Sequence, residues 1–101
     1  MKTFKKESDF QKYVIDEINK LFDEDVIILK NDANYQQGIP DLTVLHGNKW
    51  ASLEIKISNK ATKQPNQPYW VNRMNEMSYC SIVTPDNVEE VLYDLEQTFK
   101  S

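Results

Sequence analysis

Two extended runs, Asp41 to His46 and Lys49 to Ile57, are separated by Gly47-Asn48 alone. A Gly-Asn pair between two such runs predicts a tight β-hairpin, which is antiparallel and has its register fixed by the turn. With Gly47-Asn48 as the turn, His46 pairs with Lys49, and stepping outward sets Asp41 opposite Glu54. Directly opposed residues share a face, with Cβ atoms about 4.5–5.5 Å apart. Strand alternation adds Lys56 to the face of Glu54 and turns Leu53, Ile55 and Ile57 to the other.

Two facing carboxylates repel, by roughly 3 kcal/mol at ~5 Å and an effective dielectric of about 20. Either one of them is protonated, or a cation lies between them, or the register differs from this count. The plainer alternative is an exposed hairpin with two solvated acids and a surface salt bridge to Lys56, and a bulge would shift the register. A hard divalent cation such as Mg²⁺ suits an oxygen-rich pair. Lys56 would then set an ammonium beside the metal, where it can orient a water or stabilise a developing phosphate charge.

The flanking segments predict what the hairpin packs against. Phe10, Val14, Ile18 and Leu21 fall at helical spacing and end at an acidic Asp23-Glu24-Asp25 turn. Val26 to Lys30 reads as a strand, and residues 31–39 as a polar loop with Tyr35 in its middle. After a polar connection over 58–66, Asn66 and Pro68 open a second helix with Trp70, Met74 and Met77 on one face. Tyr79 to Thr84 is a short strand. Asp86 and Glu89 have capping-box spacing before a last helix with Val88, Val91, Leu92, Leu95 and Phe99 on its apolar face. The predicted order is α-β-β-β-α-β-α. The helix between the third and fourth strands implies a parallel pair, hence an α/β fold with a mixed sheet covered by helices.

At 101 residues the chain is expected to form a single domain over 1–101. Its longest aliphatic run, Val26 to Leu29, is far short of a membrane span, and no signal peptide is visible near the start. The one cysteine, Cys80, cannot form an internal disulfide. These features predict a protein of the reducing cytoplasm with no membrane partner. Net charge is −4, yet residues 26–84 hold six basic groups against four acids. Lys60 and Lys63 stand in that basic stretch, as a solvated loop or as phosphate contacts. His46 is expected at the surface of the hairpin tip, Cys80 in the interior, and Met74 and Met77 in the core. Trp50 shares a face with Asp41 and Glu54, where it either packs under a helix or stacks on a base.

Gly38-Ile39-Pro40-Asp41, followed thirteen residues after Asp41 by Glu54-Ile55-Lys56, resembles the active-site signature of the PD-(D/E)XK nuclease superfamily. The likeness is greatest to the small VRR-NUC nucleases, some of them free-standing phage or bacterial proteins. Glu7-Ser8-Asp9-Phe10-Gln11 resembles the family's helix-opening acid followed by a glutamine, and Gln64-Pro65-Asn66-Gln67 its Pro-x-Gln approach to the second helix. The resemblance spans roughly residues 7–97 and implies a restriction-endonuclease-like α-β-β-β-α-β(-α) core with a four-stranded mixed sheet.

Carried over residue by residue, the resemblance makes Asp41 and Glu54 ligands of Mg²⁺, for which Mn²⁺ would substitute. The backbone carbonyl of Ile55 becomes a further ligand and Lys56 the catalytic lysine. Glu7 would complete or orient the metal site, with Gln67 as an accessory; helix capping is the plainer role for both. Lys60, Lys63 and Tyr35 are the candidate nucleic-acid contacts. The implied activity is metal-dependent endonucleolytic hydrolysis of DNA, with branched or junction DNA among the substrates, by a homodimer. A phage-encoded protein would act in the host cytoplasm. A catalytically silent nucleic-acid-binding or regulatory module on the same fold is the alternative.

Overall fold

The computed structural model describes residues 3–32, 34–57 and 67–100. Helix α1 (Glu7–Phe22) forms on the predicted stripe and buries Phe10, Val14 and Ile18, but Leu21, expected on the same stripe, is exposed in the last turn. It stops at Asp23, whose φ of 53° turns the chain out of the helix while its N–H still reaches Asn19 O. One 3₁₀ turn through Asp25 leads into β1 (Val26–Lys30).

The hairpin forms as the spacing predicts. β2 (Leu42–His46) and β3 (Lys49–Ile55) pair antiparallel, His46 with Lys49 and Leu42 with Leu53. Gly47 takes a φ of 64°, which a two-residue turn requires and glycine adopts without strain. β1 pairs antiparallel with β2, and β3 parallel with β4 (Tyr79–Val83). The sheet order is β1-β2-β3-β4, a mixed four-stranded sheet with helices packed on it.

One face of the sheet carries Leu42, Val44, Ala51, Leu53, Ile55 and Val83, all fully buried. They meet Phe10, Val14 and Ile18 of α1, and Val88, Val91, Leu95 and Phe99 of α3 (Val88–Lys100). The apolar face of α3 is the predicted one. On the other face Ser52, Glu54 and Cys80 are buried, and α2 (Gln67–Met77) packs against β4 and β3. Burial pushes the Cys80 thiol up to about 12, which leaves it inert as a nucleophile. No helix among the described residues is long and apolar enough to cross a membrane.

Three local expectations are corrected. His46 is half-buried, because its parity puts it on the helix-covered face with Val44. There it stacks on Phe99 at 5.1 Å and touches Phe22 at 5.2 Å. Met77, the last residue of α2, is 65% exposed, so the inward face of that helix ends at Met74. α3 starts at Val88, one residue later than a cap at Asp86 allows. Asn87 precedes it and bonds backward instead, accepting from Thr84 N–H and donating to Ile82 O.

Candidate active site

The ladder ends at the Leu42–Leu53 pair, and Asp41 and Glu54 are the next residues outward, Asp41 just before the start of β2. Asp41 does not extend the ladder with its side chain pointing away. Its Oδ2 accepts the N–H of Ile55 at 2.8 Å, which ties the carboxyl to the last residue of β3. Pro40, lacking an N–H and confined in φ, brings the chain to that position.

Asn31 holds the same corner. Its N–H donates to Asp41 O at 2.8 Å and its Nδ2 to Pro40 O at 2.9 Å, while its Oδ1 accepts from Thr43 Oγ1 at 3.0 Å. The segment 40–43 is thus pinned by one residue, the asparagine that follows β1. Nothing in the spacing of Asn31 marks it, since it reads as the first residue of a polar loop.

Glu54 is buried within β3, and Lys56 follows it by one strand repeat on the same face. Lys56 Nζ lies 3.4 Å from Glu54 Oε2. The Lys56 N–H donates to Val83 O, so the backbone that carries the lysine is fixed to β4. Burial is the main cause that raises the Glu54 carboxyl to about 7; the Asp41 charge adds to it and Lys56 opposes it. The repulsion expected between opposed acids is present, and part of it is answered by an ammonium supplied by the strand itself.

Glu7 opens α1 at an exposed position. Its carboxyl is raised by desolvation, lowered by Lys56 and raised by Asp41. It therefore senses the two charges nearest Glu54, and four ionisable groups from α1, β2 and β3 share one field. Lys6, not Glu7, is the N-cap residue, and it makes no side-chain cap. Gln67 is the first residue of α2, with its side chain outside the described residues, as are Lys60 and Lys63. Tyr35 is exposed in the loop before Pro40.

Among the described residues, no group of three or more His, Cys, Asp or Glu side chains forms a metal-holding cluster. The available donors are a carboxylate pair, Asp41 and Glu54, with the Ile55 carbonyl at the end of the same strand. Mg²⁺ is commonly held by one or two carboxylates, with waters and substrate phosphates completing its octahedron. The donor set fits that ion in number and hardness.

At the opposite end of the hairpin a cavity of about 350 Å³ is lined by Phe22, His46 and Phe99 with Asp23, Asp25 and Glu96. It shares no residue with the acid pair. Comparison with family models and with curated proteins finds no match to the chain.

Proposed function

We propose that the chain is a Mg²⁺-dependent deoxyribonuclease of PD-(D/E)XK type that hydrolyses DNA phosphodiester bonds. The observation that carries this reading is the buried Glu54, set between the Asp41 charge and the Lys56 ammonium. A buried acid raised by desolvation and by the neighbouring Asp41 charge costs stability, and a cation site is the arrangement that makes use of it.

When bound, Mg²⁺ would supply Lewis-acid polarisation of a phosphate oxygen and lower the pKa of a water. Asp41, Glu54 and the Ile55 carbonyl would hold it. Glu54 must lose its proton to do so, and its raised carboxyl places that loss near neutral pH. Lys56, fixed by its backbone to β4, would direct its ammonium toward charge that develops on the scissile phosphate. Glu7 would tune the pair from the start of α1, with Gln67 beside the substrate. Lys60, Lys63 and the exposed Tyr35 would meet the nucleic-acid backbone and bases. Branched or junction DNA is among the proposed substrates.

A silent binding module is the second reading, favoured by the burial of the Lys56–Glu54 pair, which can serve as a structural counter-ion pair. Incubating the protein with linear, branched and single-stranded DNA, with Mg²⁺, Mn²⁺ or EDTA, separates the two. Cleavage that needs the metal and is lost in Asp41→Asn supports the nuclease. DNA binding without cleavage under every metal condition overturns it in favour of the module.

A further inference from the structure

The cavity at the hairpin tip has a use that the acid pair does not explain. Its volume of about 350 Å³ is that of a small-ligand pocket, for which roughly 300–1,000 Å³ is usual. Three rings form its apolar wall. His46 stacks on Phe99 at 5.1 Å with 7° between the planes, and Phe22 stands 5.2 Å from the imidazole and 5.3 Å from Phe99. The rings come from α1, β2 and α3 and hold one another, so the wall is formed before any ligand arrives.

The polar side of the cavity is anionic. Asp23 and Asp25, from the turn after α1, line it with Glu96 of α3, against one lining cation, Lys100. Lys100 Nζ lies 3.9 Å from Glu96 Oε2 and answers that acid. Among the described residues, the carboxylates of Asp23 and Asp25 have no ion-pair or hydrogen-bond partner. Just outside, exposed Glu24 adds an acid, and Lys49, opposite His46 in the hairpin, adds a cation; Lys20 is bound to Glu17 at 3.1 Å. Asp23, Glu24, Asp25 and Glu96 against Lys49 and Lys100 leave an excess of two negative charges. Asp23 also holds its position at φ 53° and ψ −131°, a conformation that suits glycine and strains any other residue.

We infer that the cavity is a binding site for a primary ammonium carried on an apolar body, an alkyl- or arylalkylamine. Carboxylates only accept hydrogen bonds, so the unpaired Asp23 and Asp25 call for a cation with N–H donors. The hydrocarbon body lies against Phe22, His46 and Phe99, where it loses contact with water. A hydrated divalent ion would gain nothing from that ring wall. The cavity shares no residue with Asp41, Glu54 and Lys56, so this inference does not rest on the nuclease reading.

Titration with phenethylamine at fixed pH and ionic strength, followed by amide NMR and calorimetry, tests it. The expected result is saturable one-site binding, with shifts centred on Leu21 to Asp25, His46 and Glu96 to Lys100. Phenethyl alcohol keeps the body without the charge, and phenethyltrimethylammonium keeps the charge without the N–H groups. Each should bind at least about tenfold more weakly than the amine. Mg²⁺ at matched ionic strength should not displace the amine. Asp25→Asn and Asp23→Gly should each lower affinity about threefold to tenfold. Asp23→Gly also relieves the positive φ, so it should melt no lower than wild type, which separates lost binding from lost folding. Shifts that rise linearly without saturation overturn the inference. So does equal binding of the alcohol, affinity unchanged in both variants, or shifts centred on Asp41 and Glu54.

Discussion

Lys56 Nζ lies 3.4 Å from Glu54 Oε2, and the two side chains are 9% and 1% exposed. Lys56 stands one strand repeat beyond Glu54, just past the end of β3, so the pairing follows from alternation and needs no loop to bring them together. A charge pair this deep in the fold gains Coulomb energy at the cost of desolvating both groups. Its asymmetry matters more than its net worth, because removing either partner strands the other.

Lys56→Ala should therefore have two separable effects. Stability should fall by about 3–5 kcal/mol near neutral pH, the usual cost of breaking a buried pair. Cleavage should fall by a factor on the order of 10²–10³, the loss expected for one preorganised donor. Lys56→Met combined with Glu54→Gln should recover most of the stability and none of the activity. Denaturant melts alongside single-turnover cleavage check both, and full activity in the alanine variant would remove Lys56 from the chemistry.

Asp41→Asn keeps an oxygen able to accept the Ile55 N–H and removes one negative charge from beside Glu54. In metal-free buffer the variant should melt higher than wild type. Its Mg²⁺ or Mn²⁺ affinity should be lower by at least about tenfold, the equivalent of 1.4 kcal/mol. Calorimetric titrations that superimpose on wild type would rule out a shared metal site.

The Glu54 carboxyl rises from 4.5 to about 7 on folding. Between those values the folded protein retains a proton that the unfolded chain has released. Stability in EDTA should thus decline as pH rises from about 4.5 to about 7, and this contribution is fully present below that window. Glu54→Gln should abolish that part of the slope. Urea melts at half-unit pH steps measure it, and parallel profiles for the two proteins would show that Glu54 ionises normally.

Asn31→Ala deletes the amide that donates to Pro40 O and accepts from Thr43 Oγ1. Each bond contributes about 0.5–1.5 kcal/mol, so a loss of roughly 1–3 kcal/mol is expected. Because Asn31 holds the segment carrying Asp41, metal affinity should also fall although the residue is no ligand. An unchanged affinity at reduced stability would make Asn31 purely structural.

The hairpin, its register, the element order and the juxtaposition of Asp41, Glu54 and Lys56 were legible in the sequence. Each depends on short-range rules: a Gly-Asn turn fixes the register, and strand alternation fixes the faces. Helical spacing likewise placed the α1 and α3 core residues. Other features depended on groups far apart in the chain. Asn31 and Pro40 are nine residues apart, and the amide could be known to meet the carbonyl only once β1 had paired with β2. His46 looked like a turn residue until α1 and α3 brought Phe22 and Phe99 onto its ring. Glu7 came into the field of Lys56 through the packing of α1 on the sheet, and the raised Glu54 carboxyl reflects burial that β3 alone does not create. Local periodicity determines which side of an element a residue occupies; desolvation and long-range hydrogen bonds arise only when elements meet.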